Sequence, residues 1–327
     1  MNEETLIGIL CKYGIKQPDI KFIRHNENRT YKVNDLVTGN SYLLRIHQSI
    51  TVNIEGLQHT YNGLLSELQL LEEIANQTDL LVQKPVRNCY GEFITRIELD
   101  GKTINSSLLT WIEGKDLQKE DVLVEGFVTN LGAQLAELHR FFRNYNNRAH
   151  FNTRPNQGIE RNNQMLSQIE RGVELGLILP SDFHIVEQTI RLINSRLESI
   201  GKSPDSWGII HADLNMGNII VTSKGEISFI DFGLFGFGYY LLDVSTGALM
   251  VPSKNRRQFV KGYYGVNEVP ADVFAKMEGF MLTGILGYYA FHMENEEVHR
   301  WIRERMPLLC SKHCLPFLSG DSIFYNF

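Results

Sequence analysis

Short apolar runs alternate with polar turns in the first third of the chain, a pattern that predicts β-strands. Clusters of Asn, Asp and Gly separate these runs, and residues 64–74 place leucines at helical spacing between them. The predicted strands of this region cover residues 22–23, 30–33, 42–46, 92–97 and 107–112. This order predicts a small lobe that consists of an antiparallel sheet and one long helix.

The rest of the chain is mainly amphipathic with helical periodicity. The predicted helices cover residues 127–142, 183–200, 240–250, 256–264, 271–293 and 298–309. Three short apolar runs, at residues 207–210, 219–221 and 227–230, interrupt them and predict strands. We therefore expect a two-lobed α+β fold. Residues 1–110 would form the small sheet lobe, and residues 111–327 would form a larger, mainly helical lobe.

Three polar residues with ligand chemistry adjoin the interrupting strands. Asp213 and Asn218 lie on the loop between the first two runs, and Asp231 ends the third. A tight turn at residues 223–225 would bring Asp231 back beside Asn218. Phosphoryl transfer needs a carboxylate that orients the acceptor hydroxyl and oxygen ligands that hold Mg²⁺ on the phosphates. Each half of this pattern also arises by chance in ordinary loops, but the ordered set predicts a phosphoryl-transfer site.

The segment that begins at His211 and continues through Asp213 to Asn218 is similar to the motif H-[GA]-D-x-x-x-x-N. It resembles the aminoglycoside phosphotransferase and choline kinase-like family, which has a protein-kinase-like fold. The resemblance covers nearly the whole chain. It implies that Asp213 is the catalytic base, that Asn218 and Asp231 hold Mg²⁺, and that Asp243 caps or orients the loop.

The same resemblance places residues of the first lobe around the phosphates of ATP. Arg45 would bind the α- and β-phosphates, and Glu67 would hold Arg45 in place. Protein kinases have lysine at this position, whereas choline kinase-like members use arginine, which can bind phosphate through two N–H groups. Alternatively, Arg45 is a surface strand residue with another partner. The turn at residues 26–30 resembles the loop that the family places over the nucleotide, or is a plain hairpin turn.

The adenine base would lie against the segment that joins the lobes. The resemblance implies that the backbone of Thr110, Trp111 and Ile112 forms hydrogen bonds with the adenine edge. The apolar residues expected around the base are Ile220 as a floor, with Val33 and Ile230 as walls. Each of these is also compatible with an ordinary core position, because most valines and isoleucines are buried.

Composition and charge argue against several other classes of protein. The chain has 327 residues, 43% of them hydrophobic and 21% charged, and a formal net charge of −6. It contains no block of five or six like charges, and nucleic-acid binding needs a basic patch, so we expect no nucleic-acid partner. The acidic start does not resemble a secretory signal, and charges interrupt the apolar stretch at residues 274–291, so we expect a cytoplasmic protein without a membrane partner.

The four cysteines are too few for a disulfide framework. Cys310 and Cys314 flank His313, which raises the possibility of a metal site. Zinc normally takes four ligands at defined spacings, and no second pair of cysteines supplies them, so we expect plain thiols.

The acceptor is the least determined part of the function. We expect a hydroxyl of a small molecule, with aminoglycosides or amino alcohols first. Homoserine, methylthioribose or a protein serine or threonine are alternatives within the same fold, and a nucleotide-binding regulator without turnover is a further one. Aromatic and acidic side chains near the C-terminus could bind a cationic acceptor. They could equally form a core stripe with a solvated face. These residues are Tyr263, Tyr264, Tyr288, Tyr289, Phe291, Glu294, Glu296 and Glu297.

Overall fold

The computed structural model describes residues 1–25, 28–48, 59–99, 101–146, 151 and 154–327. These residues form two compact units. The first unit comprises Met1–Asp116, Tyr145–Arg154 and Ile219–Leu234, and the second comprises Leu117–Asn144, Pro155–Asn218 and Phe235–Phe327. The first unit therefore includes two segments from farther along the chain in addition to the N-terminal residues.

A six-stranded antiparallel sheet forms the centre of the first unit. Its strands are β1 Pro18–His25, β2 Arg29–Asp35, β3 Ser41–Ile46, β4 Pro85–Val86, β5 Ile94–Leu99 and β6 Lys102–Thr110. The order along the sheet is β1-β2-β3-β6-β4, and β5 also pairs with β6. Two helices accompany the sheet, α1 Glu3–Lys12 and α2 Tyr61–Gln77.

Helix α1 covers one face of this sheet. Asn2 caps the helix by accepting a hydrogen bond from the N–H of Thr5 at 3.0 Å, as expected for an N-cap asparagine. Leu6, Ile9 and Leu10 of α1 form one buried cluster with apolar residues of the sheet. Burial of this apolar stripe, rather than the intrinsic helix propensity of a ten-residue segment, stabilises α1.

A smaller sheet in the first unit contains the predicted turn at residues 223–225. Its strands are β7 Lys115–Asp116, β10 Ile219–Val221 and β11 Ile227–Phe229, and β10 lies between the other two. Ile219 is opposite Phe229 in the register, and Gly225 has a φ of 78° in the connecting turn. The predicted hairpin is therefore confirmed, and glycine fits the left-handed turn position.

The second unit is mainly helical. Its helices are α3 Glu125–Asn144, α4 Ile159–Glu174, α5 Pro180–Ile200, α6 Tyr240–Met250, α7 Arg256–Tyr264, α8 Ala271–Phe291, α9 His299–Leu309 and α10 Leu315–Ser319. Three short strands form a sheet inside this unit, β8 Asn156–Gln157, β9 Trp207–Ile210 and β12 Gly236–Tyr239. The α+β fold with a sheet unit and a larger helical unit is as predicted.

The helices of the second unit pack around a large apolar core. Residues of α4, α5, α8 and α9 contribute to it, and Cys310 and Cys314 are buried in it on a π-helical turn. Within the described part of the chain, no helix combines the length and the apolar character that crossing a membrane requires.

Candidate active site

The predicted catalytic loop begins where β9 ends, in the second unit. Strand β12 pairs with β9 and places Gly236 opposite Ile210, which fixes the start of the loop. The side-chain amide of Asn218 donates to the main-chain oxygen of Asp213 at 2.9 Å and to its Oδ2 at 2.8 Å. Asn215, which the sequence prediction missed, donates to Oδ1 of Asp213 at 3.3 Å. Both carboxyl oxygens of Asp213 are therefore oriented by neighbouring asparagines.

Asp243 holds the backbone at the start of this loop. Its buried carboxyl group accepts hydrogen bonds from the N–H groups of His211 at 2.7 Å and Ala212 at 2.9 Å. Ala212 has a φ of 66°, a conformation that is unfavourable for residues with a Cβ. Glycine, the other residue that the motif takes here, would relieve this strain. The predicted orienting role of Asp243 is confirmed.

His139 on α3 supports Asp243 from behind, and the sequence analysis did not single it out. Its Nε2 lies 3.1 Å from Oδ2 of Asp243, and its Nδ1 lies 2.7 Å from the hydroxyl of Tyr263. Burial lowers the pKa of His139 and raises the pKa of Tyr263. The neutral imidazole therefore donates a hydrogen bond from Nε2 to Asp243. Its Nδ1 accepts a hydrogen bond from the hydroxyl group of Tyr263. His139 lies among the buried residues of the amphipathic helix α3, so the sequence pattern does not distinguish it from an ordinary core residue.

In the first unit, Arg45 and Glu67 form the predicted ion pair. Nη1 of Arg45 donates to Oε1 of Glu67 at 2.7 Å, and the two side chains are only 7% and 2% exposed. Nε of Arg45 lies 3.4 Å from the hydroxyl of Ser107. Nη2 of Arg45 is buried and has no hydrogen-bond partner among the described residues. An orphaned cationic donor of this kind fits a phosphate oxygen, because buried donors are normally paired.

A second guanidinium lies close to Glu67. Arg154 is buried, and its Nε donates to the hydroxyl of Ser66 at 2.9 Å. Its Nη1 donates to the carbonyl oxygen of Gly233 at 2.7 Å, and its Nη2 donates to that of Gly63 at 2.5 Å. Burial lowers the pKa of Arg154 to about 10, and the charge of Glu67 opposes this shift. No spacing signal pointed to Arg154, which precedes the motif by many residues.

His47 connects Arg45 with the turn after β1. Its Nε2 lies 2.9 Å from the hydroxyl of Ser107, and its Nδ1 lies 3.0 Å from Oδ1 of Asn28. Burial, with the nearby charge of Arg45, lowers the pKa of His47 well below its usual value. Asn28 belongs to the turn that resembles a nucleotide-covering loop, whereas residues 26–27 of that turn lie outside the described residues.

Asp231 directly follows β11 and Ile230 in the first unit. It has a φ of 64°, and its side chain is 40% exposed. Nη2 of Arg24 lies 3.9 Å from its Oδ2. Aspartate tolerates the left-handed region better than most residues, and the turn leaves its carboxyl group accessible. The predicted proximity of Asp231 to Asn218 stays a prediction, because these two residues belong to different units.

The donor atoms fit Mg²⁺. Asn218 uses its amide nitrogen on Asp213, which leaves its amide oxygen available, and the carboxyl group of Asp231 is 40% exposed. The described residues contain no group of three or more His, Cys, Asp or Glu side chains that could hold a metal. Mg²⁺ is typically bound through one or two carboxylates together with substrate phosphates, so a sparse oxygen set is suitable for it.

The backbone predicted to contact adenine is partly used within the first unit. The N–H of Thr110 donates to Lys84 at 2.8 Å, and the N–H of Trp111 donates to Ser41 at 3.0 Å. The N–H of Ile112 has no hydrogen-bond partner among the residues that the structure describes. Among the N–H groups of this segment, the expected hydrogen bond to the base is therefore left to that of Ile112.

The sheet register corrects the expectation for Val33. Thr30 is opposite Arg45, and directly opposite residues point to the same face while neighbours along a strand alternate. Val33 therefore points to the other face, where it is fully buried in the cluster with α1. Lys32 shares a face with Arg45 instead, and its ammonium group lies 4.6 Å from the centre of the Trp111 ring.

Ile220 and Ile230 are both partly exposed, as a base-lining role requires. Gly114 packs directly against the strand of Ile220. A Cβ on Gly114 would lie 2.5 Å from Cγ2 of Ile220 and 2.6 Å from the carbonyl oxygen of Val221. Only glycine permits this approach, which keeps the end of the segment predicted to contact adenine next to β10.

Comparisons with known proteins identify the family of the chain. The model of the phosphotransferase enzyme family (APH) matches residues 19–280. The amicoumacin kinase of Bacillus subtilis (strain 168) is 24% identical over 306 residues, which cover 87% of this chain and 84% of that protein.

Two solved structures have a similar fold. A microcompartment-associated aminopropanol kinase has a TM-score of 0.77 at 22% identity, covering 98% of this chain and 99% of its own. An amicoumacin kinase in complex with AMP-PNP, Ca²⁺ and Ami has a TM-score of 0.74 at 20% identity, covering 100% of this chain and 97% of its own. The chain therefore has a kinase-like fold and belongs to the phosphotransferase enzyme family, as a kinase that transfers phosphate from ATP to a hydroxyl group of a small molecule.

Proposed function

We propose that the acceptor is an amino alcohol or an aminoglycoside-like antibiotic, that Mg²⁺ accompanies ATP, and that Asp213 is the catalytic base. Similarity to an aminopropanol kinase and to amicoumacin kinases supports the acceptor class. The observation that carries the role of Asp213 is the orientation of its carboxyl group by Asn215 and Asn218. A carboxylate fixed in this way can align an acceptor hydroxyl for in-line attack and receive its proton.

The phosphates and the metal are assigned to the residues that the motif and the Arg45–Glu67 pair indicate. Arg45, with its orphaned Nη2, would bind phosphate oxygens, and Glu67 keeps the guanidinium in place. Asn218 of the second unit and Asp231 of the first are the proposed metal ligands, and this pairing rests on the motif. Asn218 and Asp231 would hold the divalent ion, which would neutralise charge that develops on the phosphates during transfer.

The base of ATP is assigned to the first unit. The N–H of Ile112, which has no partner among the described residues, would donate to the adenine edge, and Ile220 and Ile230 would contact the ring. Lys32 lies over Trp111 and pairs with Glu113, so it would cover the edge of this site. These contacts position ATP without taking part in the chemistry.

The experiment is an ATP-consumption screen with amino alcohols, aminoglycosides, amicoumacin, homoserine, methylthioribose and a protein serine substrate. With the accepted substrate, Asp213→Asn should lower kcat by about 10²–10⁴-fold, the usual contribution of a general base. Asp205→Asn is the matched control, because Asp205 is an exposed aspartate in the same unit.

Undiminished turnover by Asp213→Asn would show that Asp213 is not the base. Acceptance of the protein substrate alone would contradict the small-molecule class. Binding of Mg²⁺–ATP in calorimetry without turnover on any acceptor would instead favour the regulator without activity.

A further inference from the structure

Arg154 joins two parts of the first unit that the proposed function assigns to phosphate and metal. Its guanidinium donates to Gly63 and Ser66 in the first turns of α2, the helix that carries Glu67. It also donates to Gly233, two residues after Asp231. We propose that Arg154 is a positioning residue that fixes the Asp231 turn relative to α2 and thereby sets the affinity for the divalent metal with ATP. This proposal rests on the proposed metal role of Asp231.

The Asp231 turn needs such an anchor. A non-glycine residue with a positive φ persists only where the surrounding structure holds it, and Asp231 has a φ of 64°. Its one charged neighbour among the described residues, Arg24, lies 3.9 Å away at the surface and is 53% exposed. The bond from Arg154 to the carbonyl of Gly233 is partly buried, 2.7 Å long and charge-assisted, so it constrains the turn more than the surface contact with Arg24 does.

Arginine is the residue type that this position requires. A planar guanidinium offers five N–H donors in a fixed geometry. Arg154 uses donors from all three of its nitrogens, toward two carbonyl oxygens and one hydroxyl. Lysine has a single flexible ammonium group and would not reproduce this planar arrangement.

Glu67 connects the anchor with the phosphate clamp. Its carboxylate pairs with Arg45 at 2.7 Å and also interacts electrostatically with Arg154. The two guanidinium groups therefore share one buried carboxylate on α2. Loss of Arg154 would leave Glu67 with Arg45 alone and would release the turn that carries Asp231.

The test compares Arg154→Gln and Arg154→Lys with Arg87→Gln as the matched control. Arg87 also pairs with a glutamate of α2, Glu72, but it lies at the surface with its side chain 49% exposed. The readouts are the Kd of Mn²⁺ in the presence of AMP-PNP, measured by electron paramagnetic resonance, the Mg²⁺ concentration for half-maximal rate, and Tm.

In Arg154→Gln, we expect the Mn²⁺ Kd and the half-saturating Mg²⁺ concentration to rise together by roughly 10-fold or more, the usual effect of removing a partner that orients a metal ligand. Arg154→Lys should lie between this variant and the wild type. Arg87→Gln should leave both metal readouts unchanged. Ser66→Ala removes a single partner of Arg154 with little change in volume, and it should shift the metal readouts in the same direction by a smaller factor.

A lower Tm with wild-type metal readouts in Arg154→Gln would overturn the proposal, because Arg154 would then be structural alone. If Arg154→Gln does not fold, unchanged metal readouts in both Arg154→Lys and Ser66→Ala would overturn it equally. A wild-type protein that binds no Mn²⁺ with AMP-PNP would contradict the metal role of Asp231 in the proposed function. Metal binding that is normal in the wild type and in every variant contradicts only the role of Arg154.

Discussion

Two turns, one in each unit, contain the non-glycine residues that have a positive φ in the described chain. Ala212 precedes Asp213 in the second unit with a φ of 66°, and Asp231 follows β11 in the first with a φ of 64°. The left-handed conformation costs about 1–2 kcal/mol for a residue with a Cβ. Both turns therefore need support from neighbouring side chains.

The two turns are supported by buried side chains of opposite chemistry. Asp243 accepts the N–H groups of His211 and Ala212, whereas Arg154 donates to the carbonyl of Gly233. A carboxylate can only accept and a guanidinium can only donate. The type of anchor thus follows from the backbone group that the turn leaves unpaired, an N–H in one unit and a C=O in the other.

The largest expected effect comes from Asp243→Asn. The new amide group places an NH₂ where the carboxyl group accepted an N–H, so His211 or Ala212 loses its acceptor. Unpaired buried donors cost about 1–3 kcal/mol each, and the free energy of unfolding should fall by about 3 kcal/mol. The kcat should fall at least about tenfold because Asp213 is displaced. Urea unfolding and steady-state kinetics measure the two effects.

Asp272→Asn is the control, since Asp272 is an exposed aspartate that pairs with Lys276 at 2.8 Å on the surface of α8. It should change neither the stability nor kcat appreciably.

The two anchors, Asp243 and Arg154, should also differ in the kinetic quantity that they affect. Asp243→Asn should lower kcat with little change in the metal requirement, and Arg154→Gln should raise the metal requirement. The same kinetic pattern in both variants would contradict separate roles for the two turns.

Apolar periodicity predicted most of the fold, and the exceptions have physical reasons. The predicted helices at residues 240–250 and 256–264 coincide with α6 and α7. Helix α4 was missed because its buried stripe includes Asn162 and Gly172 beside Met165 and Ile169, so it lacks a continuous apolar pattern. Helix α1 was missed although Asn2 and the acidic residues after it are an N-terminal capping signal.

The site was predictable where neighbouring residues in sequence also act together. The loop from His211 to Asn218 is one such segment, and Asp243 follows it closely. Arg154 has partners 79 and 88 residues away along the chain, which no local pattern can reveal. Val33 shows a different limit, since its strand was predicted correctly but a shift of one residue exchanges the two faces of a strand.

The free energy of unfolding should depend on pH, because each unit contains a buried neutral histidine. Burial lowers the pKa of His139, which supports Asp243, and lowers that of His47 further. The unfolded chain therefore binds more protons than the folded protein below pH about 6.5, and stability falls as the pH decreases from there. Each histidine contributes up to about 1.4 kcal/mol per pH unit until its folded pKa is reached.

Urea unfolding between pH 7.5 and pH 5 measures this slope. His47→Gln should make it shallower over the widest pH range, and His139→Gln over a narrower one, because the pKa of His47 is lowered more. His184→Gln is the control, since His184 is 65% exposed on α5. An equal slope in all three variants would show that the two buried imidazoles are not the source.

The smallest expected effect concerns the strain itself. Ala212→Gly relieves the positive φ, and the gain should exceed the added flexibility of the unfolded chain, so stability should rise by about 0.5–1 kcal/mol with activity retained. Asp231→Gly should be stabilised by less, because aspartate tolerates a positive φ better than alanine does, and it should lose activity, because Asp231 is also a proposed metal ligand. Ala275→Gly, at an exposed position inside α8, should instead destabilise by about 1 kcal/mol. Thermal unfolding measures all three variants, and destabilisation by Ala212→Gly would show that Asp243 holds a turn that is not strained.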